Sequence, residues 1–474
     1  MNGVALLRVD RVAGSGGHPR HLHPALDLKV VETGLVEAGI PVALIDAWCL
    51  GGNPATWVER VLAARPRVVV VKAETWCLPE SVACATRLRQ AGILTVAVGQ
   101  QVAHARRSPV AGWRDAYDAE IEGEPEDALL ALLPQLVAGD PLTVIESVSG
   151  KVHVANPDDL PLPVFTRDEM EAFAFPFPLC GRPLQRWAYV LSARGCPHRC
   201  RHCSVVVRKS AGGRLRCRDP QRIADEVAAH LDAGAEAIAF EDDTLLVDKR
   251  HFLALCGELA RRGLVLPWIA NARPDELDAE RVAAAAATGA TLLKLGIETG
   301  SPRLIEAMGK CRQGESWRIQ TEAGLARLRA HGVGALGLFL VGLPTQTAEE
   351  VAETWRWAQA LELDYVQVQI FRAYPDIAWW PDMPADFRDV DAAYHYGPVA
   401  ATTAAMPASA LPVLQRRFYQ GFYLRPQFAL SHLRRCWRHY CDPRGLLPSL
   451  RRLTYLAGTG TAGSRNGEEV PRAA

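Results

Sequence analysis

The sequence predicts an α/β protein that contains two parallel sheets, a doubly wound one followed by a partial barrel, and ends in a small helical cap. Three observations predict this fold class. Short apolar runs alternate with helix-like stretches over residues 4–137, six further units of this kind follow residue 187, and the alternation stops after about residue 376. Parallel strands that are covered on both faces show such continuous apolar runs.

The N-terminal region, residues 1–137, is predicted to be a Rossmann-like domain. Its predicted strands are residues 4–7, 41–45, 67–71, 93–98 and 119–121. Its predicted helices are residues 24–38, 55–65, 79–91 and a last one from Asp127 that Pro134 interrupts or ends. In a sheet of this type, ligands bind at the carboxyl ends of the strands.

Residues 138–186 are rich in Pro, Asp and Gly and are predicted to be a linker with little core of its own. Residues 187–375 are predicted to form a partial (β/α)6 barrel of the TIM type, with its chemistry at the strand carboxyl ends. The six predicted strands are residues 187–192, 236–240, 266–270, 291–297, 335–341 and 365–371. The aromatic, Arg-rich region 376–457 is predicted to be the mainly helical cap, and residues 458–474 a disordered tail.

Composition narrows the class of protein. The chain has 474 residues, with 53 Lys and Arg against 53 Asp and Glu, so no basic field favours nucleic acid as a partner. No apolar stretch is long enough to cross a membrane. Twelve cysteines without a secretory segment indicate a reducing compartment, and we expect a cytoplasmic protein.

Three of these cysteines, Cys196, Cys200 and Cys203, follow the first barrel strand at C-x3-C-x2-C spacing. Three thiolates can hold three irons of a 4Fe–4S cluster, whereas a cluster held fully by protein takes four cysteines. The fourth iron would keep an open site, which a metal needs to act on a bound molecule. The alternative is three unconnected buried thiols. The spacing, and the polar and basic residues between the cysteines, favour the cluster.

With the barrel and the N-terminal domain, several motifs resemble those of radical S-adenosylmethionine (SAM) enzymes, in the branch that has a cobalamin-binding-like N-terminal domain. They are Arg194-Gly-Cys-Pro-x-x-Cys-x-x-Cys203, Glu241-Asp-Asp-Thr-Leu245, Leu295-Gly-Ile-Glu-Thr-Gly-Ser301, Gly337-Leu-Phe-Leu-Val-Gly-Leu-Pro344 and Glu122-Gly-Glu-Pro-Glu126. The resemblance covers about residues 1–430. It implies that the open iron binds SAM and that an electron from the cluster cleaves it to methionine and a 5′-deoxyadenosyl radical, which abstracts hydrogen from a substrate.

The resemblance also implies cofactor-binding residues at the strand ends. Glu241, Asp242 and Asp243 close the second barrel strand, where the family places groups near the SAM ammonium. A solvated acidic turn is the alternative for these three residues. Glu298 closes the fourth strand, where the matching Glu of the family reaches SAM, and a carboxylate there would be costly to bury unpaired.

The other implied positions are less specific. Arg273, after the third strand, is expected to pair with a carboxylate of SAM or of the substrate, or to be a surface charge. His202 stands where many relatives stack Phe or Tyr against the adenine. Gly337 and Gly342 would let the adenine approach the fifth strand.

Cobalamin is a cofactor that the family branch allows and that the N-terminal residues do not favour. No Asp-x-His-x-x-Gly run is present to ligate cobalt. The third strand ends in Lys72-Ala-Glu-Thr-Trp-Cys77 and the fourth in Gly99-Gln-Gln-Val-Ala-His104, where relatives carry small or hydroxyl residues and a Gly-Gly pair. Bulky or charged groups would crowd a nucleotide tail. His23 and His104 are candidate ligands of cobalt, but a lone histidine is more often structural.

The sequence favours a cobalamin-independent dehydration or deoxygenation of a small, sugar-like substrate, as in the aminosugar-modifying members of the family that serve secondary metabolism and antibiotic biosynthesis. Tyr189 and Tyr374 are candidates for moving a proton. The first alternative is a cobalamin-dependent radical SAM methyltransferase, and the second is a non-catalytic iron–sulfur protein for electron transfer or sensing. An external electron donor of the flavodoxin or ferredoxin type is expected, and a dedicated reductase could act on the product.

Overall fold

The computed structural model describes residues 3–10, 23–74, 77–99, 102, 112–140, 150–175, 177–179, 183–203, 214–374, 377–384 and 402–446. The predicted tail and His104 lie outside these residues. Of the helices in the described residues, none is both long and apolar enough to cross a membrane.

The N-terminal domain is a six-stranded sheet in which every described pair of neighbouring strands is parallel, in the order β2-β1-β3-β4-β5-β6. Its strands are β1 Gly3–Arg8, β2 Val42–Asp46, β3 Pro66–Lys72, β4 Leu94–Val98, β5 Ala119–Gly123 and β6 Gly150–Val152. Alternate residues of β3 pack into separate apolar clusters on the two faces of the sheet, Val69 and Val71 in one and Val68 and Val70 in the other. The doubly wound prediction is therefore confirmed.

Helices cover both faces of this sheet. They are α1 Leu26–Glu37, α2 Ala47–Leu50, α3 Pro54–Ala64, α4 Leu78–Gln90, α5 Trp113–Ala116 and α6 Glu126–Ala138. Helix α6 corrects one prediction, because it continues through Pro134 to Ala138.

The second sheet is also parallel, in the order β14-β13-β12-β11-β10-β7, which is the sequential order of a partial barrel. Its strands are β7 Trp187–Val190, β10 Ala237–Phe240, β11 Trp268–Ala272, β12 Ala290–Glu298, β13 Gly334–Val341 and β14 Tyr365–Ile370. A short antiparallel ribbon, β8 Ala193–Arg194 and β9 Arg216–Cys217, stands beside it. The predicted barrel strands are thus all present.

The remaining helices lie mostly between the barrel strands and after the last of them. They are α7 Arg167–Ala172, α8 Pro220–Asp232, α9 Lys249–Arg261, α10 Ala279–Ala287, α11 Pro302–Ala307, α12 Gly314–Ala330, α13 Ala348–Ala360, α14 Ala410–Tyr423, α15 Pro426–Arg435 and α16 Trp437–Cys441. One-turn 3-10 helices form at Pro157–Asp159, Pro274–Glu276 and Trp380–Asp382.

The segment that we predicted to be a linker contributes to both sheets. It supplies β6 to the first sheet, and its aromatic residues Phe165, Phe173 and Phe175 are buried in the barrel core. The hydroxyl of Tyr189 on β7 donates to the carbonyl of Phe173, and that of Tyr365 on β14 donates to the carbonyl of Pro178. The segment therefore bridges the two edge strands of the partial barrel, and the expectation of little core was wrong.

Helix α14 covers the outer edge of β14, which is the last strand of the sheet. The hydroxyl of Tyr423 accepts from the amide of Val366 (3.0 Å) and donates to its carbonyl (2.8 Å). Tyr419 bonds the amide (2.9 Å) and the carbonyl (3.1 Å) of Val368 in the same way. Main-chain groups that stay unpaired at a sheet edge can pair with another chain. The first helix of the predicted cap therefore protects the outer edge of the barrel sheet.

Replacing Tyr423 by Phe should therefore lower the free energy of unfolding by about 1–3 kcal/mol, since it leaves strand groups of Val366 without a partner. Urea denaturation measures the difference. Tyr440→Phe is the matched control, because that hydroxyl contacts the side chain of His432 on α15 (2.7 Å). An equal loss in both variants would contradict the edge-covering role.

Candidate active site

The three predicted metal ligands lie in the loop that follows β7. Cys200 is buried, Cys196 and Cys203 are partly exposed, and none of the three is in a disulfide. The loop is held by main-chain bonds, from the amide of Arg201 to the carbonyl of Met308 (2.8 Å) and from that of Cys203 to that of Cys200 (3.3 Å).

This donor set fits a 4Fe–4S cluster that takes three protein ligands. In the described residues, no three Cys, His, Asp or Glu side chains form a group that could hold a single metal ion. A cubane differs from a single ion because each thiolate binds a separate corner, so its ligands stand apart. Three thiols that lie outside any disulfide on one loop, one ligand short of a closed set, therefore fit the cluster.

Two ion pairs fasten the cluster loop to the N-terminal domain. Arg194, on β8 just before the first cysteine, donates to Glu126 (2.6 Å), and Arg216, on the paired strand β9, donates twice to Glu124 (2.6 and 2.8 Å). Both glutamates are buried and come from the Glu122-Gly-Glu-Pro-Glu126 motif. The motif that resembles the end of the cobalamin-type domain thus clamps the ribbon that frames the cysteines.

A buried carboxylate that the sequence did not single out, Glu276, joins three elements around the loop. It accepts from the hydroxyl of Thr244 and from the amide of Arg273 (3.1 Å), and it lies 3.4 Å from the ring of His198. These partners follow β10, follow β11 and precede Cys200. The signal in the sequence was only an acidic residue after Arg-Pro-Asp, which is common in turns.

Glu298, predicted to reach SAM, ends β12 with a positive φ of 70° and is paired with Lys310. Burial alone would raise the pKa of Glu298, but the charges of Lys310 and His202 bring the pKa below its ordinary value. A Cβ on Gly296 would lie 2.8 Å from both Glu298 Oε1 and Lys310 Nζ. Gly296 therefore makes room for the pair, and neither it nor Lys310 was predicted.

The three acidic residues after β10 separate in the structure. Asp242 is buried and accepts from Ser192 Oγ (2.7 Å) and from the amides of Ser192 (3.1 Å) and Ala193 (2.7 Å). It therefore fixes the start of the cluster loop, and its own predicted contact with the SAM ammonium stays a prediction. Glu241 lies 3.4 Å from Lys294, and Asp243 is half-buried. Their predicted contact with the SAM ammonium stays a prediction.

Arg273 is buried and already bonded within the protein, so it is not a surface charge. Its guanidinium bonds Asp275 through two nitrogens (2.8 and 2.9 Å), the carbonyl of Lys310 (2.8 Å) and the sulfur of Cys200 (3.6 Å). Four of its five N–H groups are thus committed within the protein.

The three residues predicted to contact adenine differ in their surroundings. His202 lies 4.0 Å from Glu298 and 6.3 Å, ring to ring, from Trp379. At Gly337 an added Cβ would meet Leu363 and Phe339, both at 2.8 Å, so that glycine serves core packing. Gly342 adopts a positive φ of 84° in a turn whose amides donate to Gln346.

The two tyrosines considered for proton transfer are both buried. The Tyr189 hydroxyl donates to a main-chain carbonyl, as described above, and burial raises its pKa well above the ordinary value. Tyr374 packs in an apolar cluster with Met308, Trp379 and Met383 beside the cluster loop. A role of either tyrosine in proton transfer stays a prediction.

The carboxyl ends of β1 to β3 are filled by this chain's own charges. Arg8 is fully buried, lies 3.4 Å from the Trp48 ring centroid, and faces Asp46 (3.5 Å) and Glu74 (3.7 Å). Lys72 is 2.6 Å from Asp27. In the described part of this edge, these side chains therefore do not fit cobalamin.

The candidate histidine at this edge, His23, is packed within the protein. Burial, together with the charge of Arg8, lowers the pKa of His23 to about 4. Its ring packs edge-on against Trp48, 5.2 Å between centroids, and its Nδ1 lies 3.4 Å from the carbonyl of Pro24.

A partial barrel with three cysteines on the loop after its first strand defines a radical SAM domain. Residues 190–358 match the family model of the radical SAM superfamily. Residues 190–358 therefore form a radical SAM domain, and the two-sheet fold of the chain is shared with solved radical SAM structures.

Relatives with known names include methyltransferases. An uncharacterized methyltransferase of Pyrococcus horikoshii is 27% identical over 336 residues, which are 67% of this chain and 69% of the relative. The anaerobic magnesium-protoporphyrin IX monomethyl ester cyclase of Rubrivivax gelatinosus is 25% identical over 54% of this chain, which spans about half (47%) of that relative.

Solved structures share the fold. The radical SAM methyltransferase TsrM of Kitasatospora setae, solved with tryptophan and a SAM analogue, aligns with a TM-score of 0.63 and 20% identity over 81% of this chain and 76% of its own. The same enzyme has also been solved with cobalamin and a 4Fe–4S cluster. At this identity the likeness shows the fold alone.

Proposed function

We propose that this protein is a radical SAM methyltransferase that acts on a small molecule. The observation that carries the proposal is the clamp between the two domains. Glu124 and Glu126 of the N-terminal domain bind Arg216 and Arg194, which lie on the two strands of the ribbon beside the cluster loop. The N-terminal domain would therefore form part of the active site. The same two-domain architecture occurs in TsrM, a methyltransferase.

The names of the relatives favour methyl transfer over the dehydration of a sugar-like substrate that the sequence favoured. The Pyrococcus relative is named a methyltransferase and the Rubrivivax relative a cyclase. Neither name indicates a dehydratase, so we replace dehydration by methyl transfer as the reaction proposed.

The residues of the chain have distinct tasks in this proposal. A cluster held by Cys196, Cys200 and Cys203 would supply the electron that cleaves SAM. Glu298, kept ionised and oriented by Lys310, would bind the SAM ammonium. Asp242 and Glu276 would hold the loop in place without touching SAM. The electron would come from an external donor of the flavodoxin or ferredoxin type.

An assay of the SAM-derived products tests methyl transfer. The anaerobically reconstituted, reduced protein is incubated with SAM that carries a deuterated methyl group and with a panel of tryptophan, other amino acids and sugars. We expect methionine and 5′-deoxyadenosine from the SAM that is cleaved, S-adenosylhomocysteine from a second SAM that gives its methyl group, and a small molecule with the label. A substrate that loses water while no S-adenosylhomocysteine forms would contradict methyl transfer and restore the dehydratase hypothesis.

The same assay with and without added cobalamin separates this proposal from the conclusion on the strand ends. Because Arg8, Asp46 and Glu74 fill that edge, we expect the same rate in both arms. A strict requirement for cobalamin would show that the edge opens in solution, while the methyltransferase proposal would stand.

A further inference from the structure

The guanidinium of Arg273 donates a hydrogen bond to one of the cluster cysteines. Arg273 follows β11, is buried, and donates from Nη1 to the sulfur of Cys200 at 3.6 Å. Cys200 is the most buried of the three cysteines. A thiolate there has little access to water, so a fixed donor beside it has a larger electrostatic effect than at the surface.

Arg273 cannot turn away from this sulfur easily. Asp275 accepts from Nε and Nη2, the carbonyl of Lys310 also accepts from Nη2, and Cζ lies 5.1 Å from the ring centroid of Trp317. Trp317 is fully buried and donates to the carbonyl of Ile297 (3.2 Å). The guanidinium is therefore oriented by a carboxylate, a carbonyl and an aromatic face.

Trp317 also orients the second cation of the site. Lys310 Nζ lies 5.2 Å from the same ring centroid and is paired with Glu298. One indole ring thus contacts two cations, of which Arg273 is directed at a cluster cysteine and Lys310 at the carboxylate of Glu298.

We propose that Arg273 is a positioning residue that orients Cys200 and raises the reduction potential of the cluster, and that Asp275 limits this effect by partly neutralising the guanidinium. Reduction adds negative charge to a cluster, and hydrogen bonds and positive charge near its sulfurs stabilise the reduced form. The proposal rests on the three cysteines being the ligands and is independent of methyl transfer.

The test is the midpoint potential of the reconstituted cluster, from a redox titration followed by electron paramagnetic resonance without SAM. The variants are Arg273→Gln, Arg273→Lys and Asp275→Asn. Arg281→Gln is the matched control, because Arg281 also pairs with an aspartate (Asp278, 3.1 Å) and bonds a carbonyl (Leu246, 2.7 Å), in contacts remote from the cysteines.

We expect the potential to fall in Arg273→Gln, by about a tenfold change in the reduction equilibrium, which is about 59 mV for one electron. Arg273→Lys should lie between this variant and the wild type, because it keeps the charge and loses the planar fork. Asp275→Asn should shift the potential upwards, and Arg281→Gln should leave it unchanged.

Opposite shifts distinguish tuning from a structural role, since mere damage to the loop would not move the two variants in opposite directions. An unchanged potential in Arg273→Gln, or shifts of the same sign in Arg273→Gln and Asp275→Asn, would overturn the proposal. If Arg273→Gln retains no iron, Asp275→Asn decides, and an unchanged or lowered potential there overturns it.

Discussion

Replacing Cys200 by Ala should abolish the 4Fe form of the cluster and bring SAM cleavage below detection. Two thiolates remain in that variant, too few for a cluster that already has one open corner. Cys200 is also the cysteine whose sulfur accepts from Arg273 and whose carbonyl accepts from the amide of Cys203. Iron per chain, the visible absorption of the reconstituted protein, and the yield of methionine from SAM measure the loss.

Cys256→Ala is the matched control for this prediction. Cys256 is equally buried, on α9, with its sulfur 3.8 Å from the hydroxyl of Thr288. We expect full iron and full activity in the control. A Cys200→Ala protein with the iron content of that control would show that the cluster has other ligands, and the iron–sulfur assignment of this loop would fail.

Most of the strands were predictable because they are apolar runs between polar or glycine boundaries. The run predicted at 291–297 is β12 Ala290–Glu298, and the run at 335–341 is β13 Gly334–Val341. Strand β6 has no such run. Its three residues join the sheet because Gly123, with a φ of 110°, lets β5 approach so closely that a Cβ there would lie 2.0 Å from the carbonyl of Val152.

The errors in the fold have a common physical origin, which is tertiary packing that overrides local composition. Residues 165–179 are rich in proline and aromatic residues, and composition indicates a loop. Composition cannot show that the partial barrel leaves a gap between its edge strands β7 and β14. The aromatic residues of this segment pack against both strands. Pro134 likewise does not end α6, whose side chains Leu129, Leu132 and Leu136 are buried against the sheet.

In the site, the sequence identified residues that lie next to one another in the chain and missed those that meet through folding. The cysteines are encoded within eight positions of one loop. Lys310 follows α11 and reaches back twelve positions to Glu298, and Glu276 gathers partners from three loops. Gly296, two positions before Glu298, was a usable signal, since a glycine inside a strand often marks a close approach.

The pair between Lys310 and Glu298 gives the second large effect. Replacing Lys310 by Met keeps the length of the side chain and leaves the buried carboxylate of Glu298 without its cation. We expect the free energy of unfolding to fall by about 3–5 kcal/mol at neutral pH, because an uncompensated charge remains in the core. Urea denaturation of the wild type and the variant measures the difference.

The pH dependence of this loss identifies its cause. In the wild type, Lys310 and His202 hold the pKa of Glu298 below its ordinary value despite burial, so the carboxylate stabilises the fold at neutral pH and loses that contribution as the pH falls through its pKa. In Lys310→Met, the charge of Lys310 no longer offsets the effect of burial, so the pKa of Glu298 rises. Protonation of Glu298 then removes the unpaired charge as the pH falls. The stability gap between the two proteins should therefore narrow from neutral pH towards pH of about 4–5.

A double variant and a surface control isolate the effect of the buried charge on stability. Lys310→Met with Glu298→Gln removes both charges and should be more stable than Lys310→Met alone, with no pH-dependent gap from this site. Lys249→Met, which removes an exposed cation from Asp278 and Glu280, should have little effect. Equal losses in the single and the double variant would mean that the Lys310 side chain stabilises the site by packing on Trp317 and not by its charge.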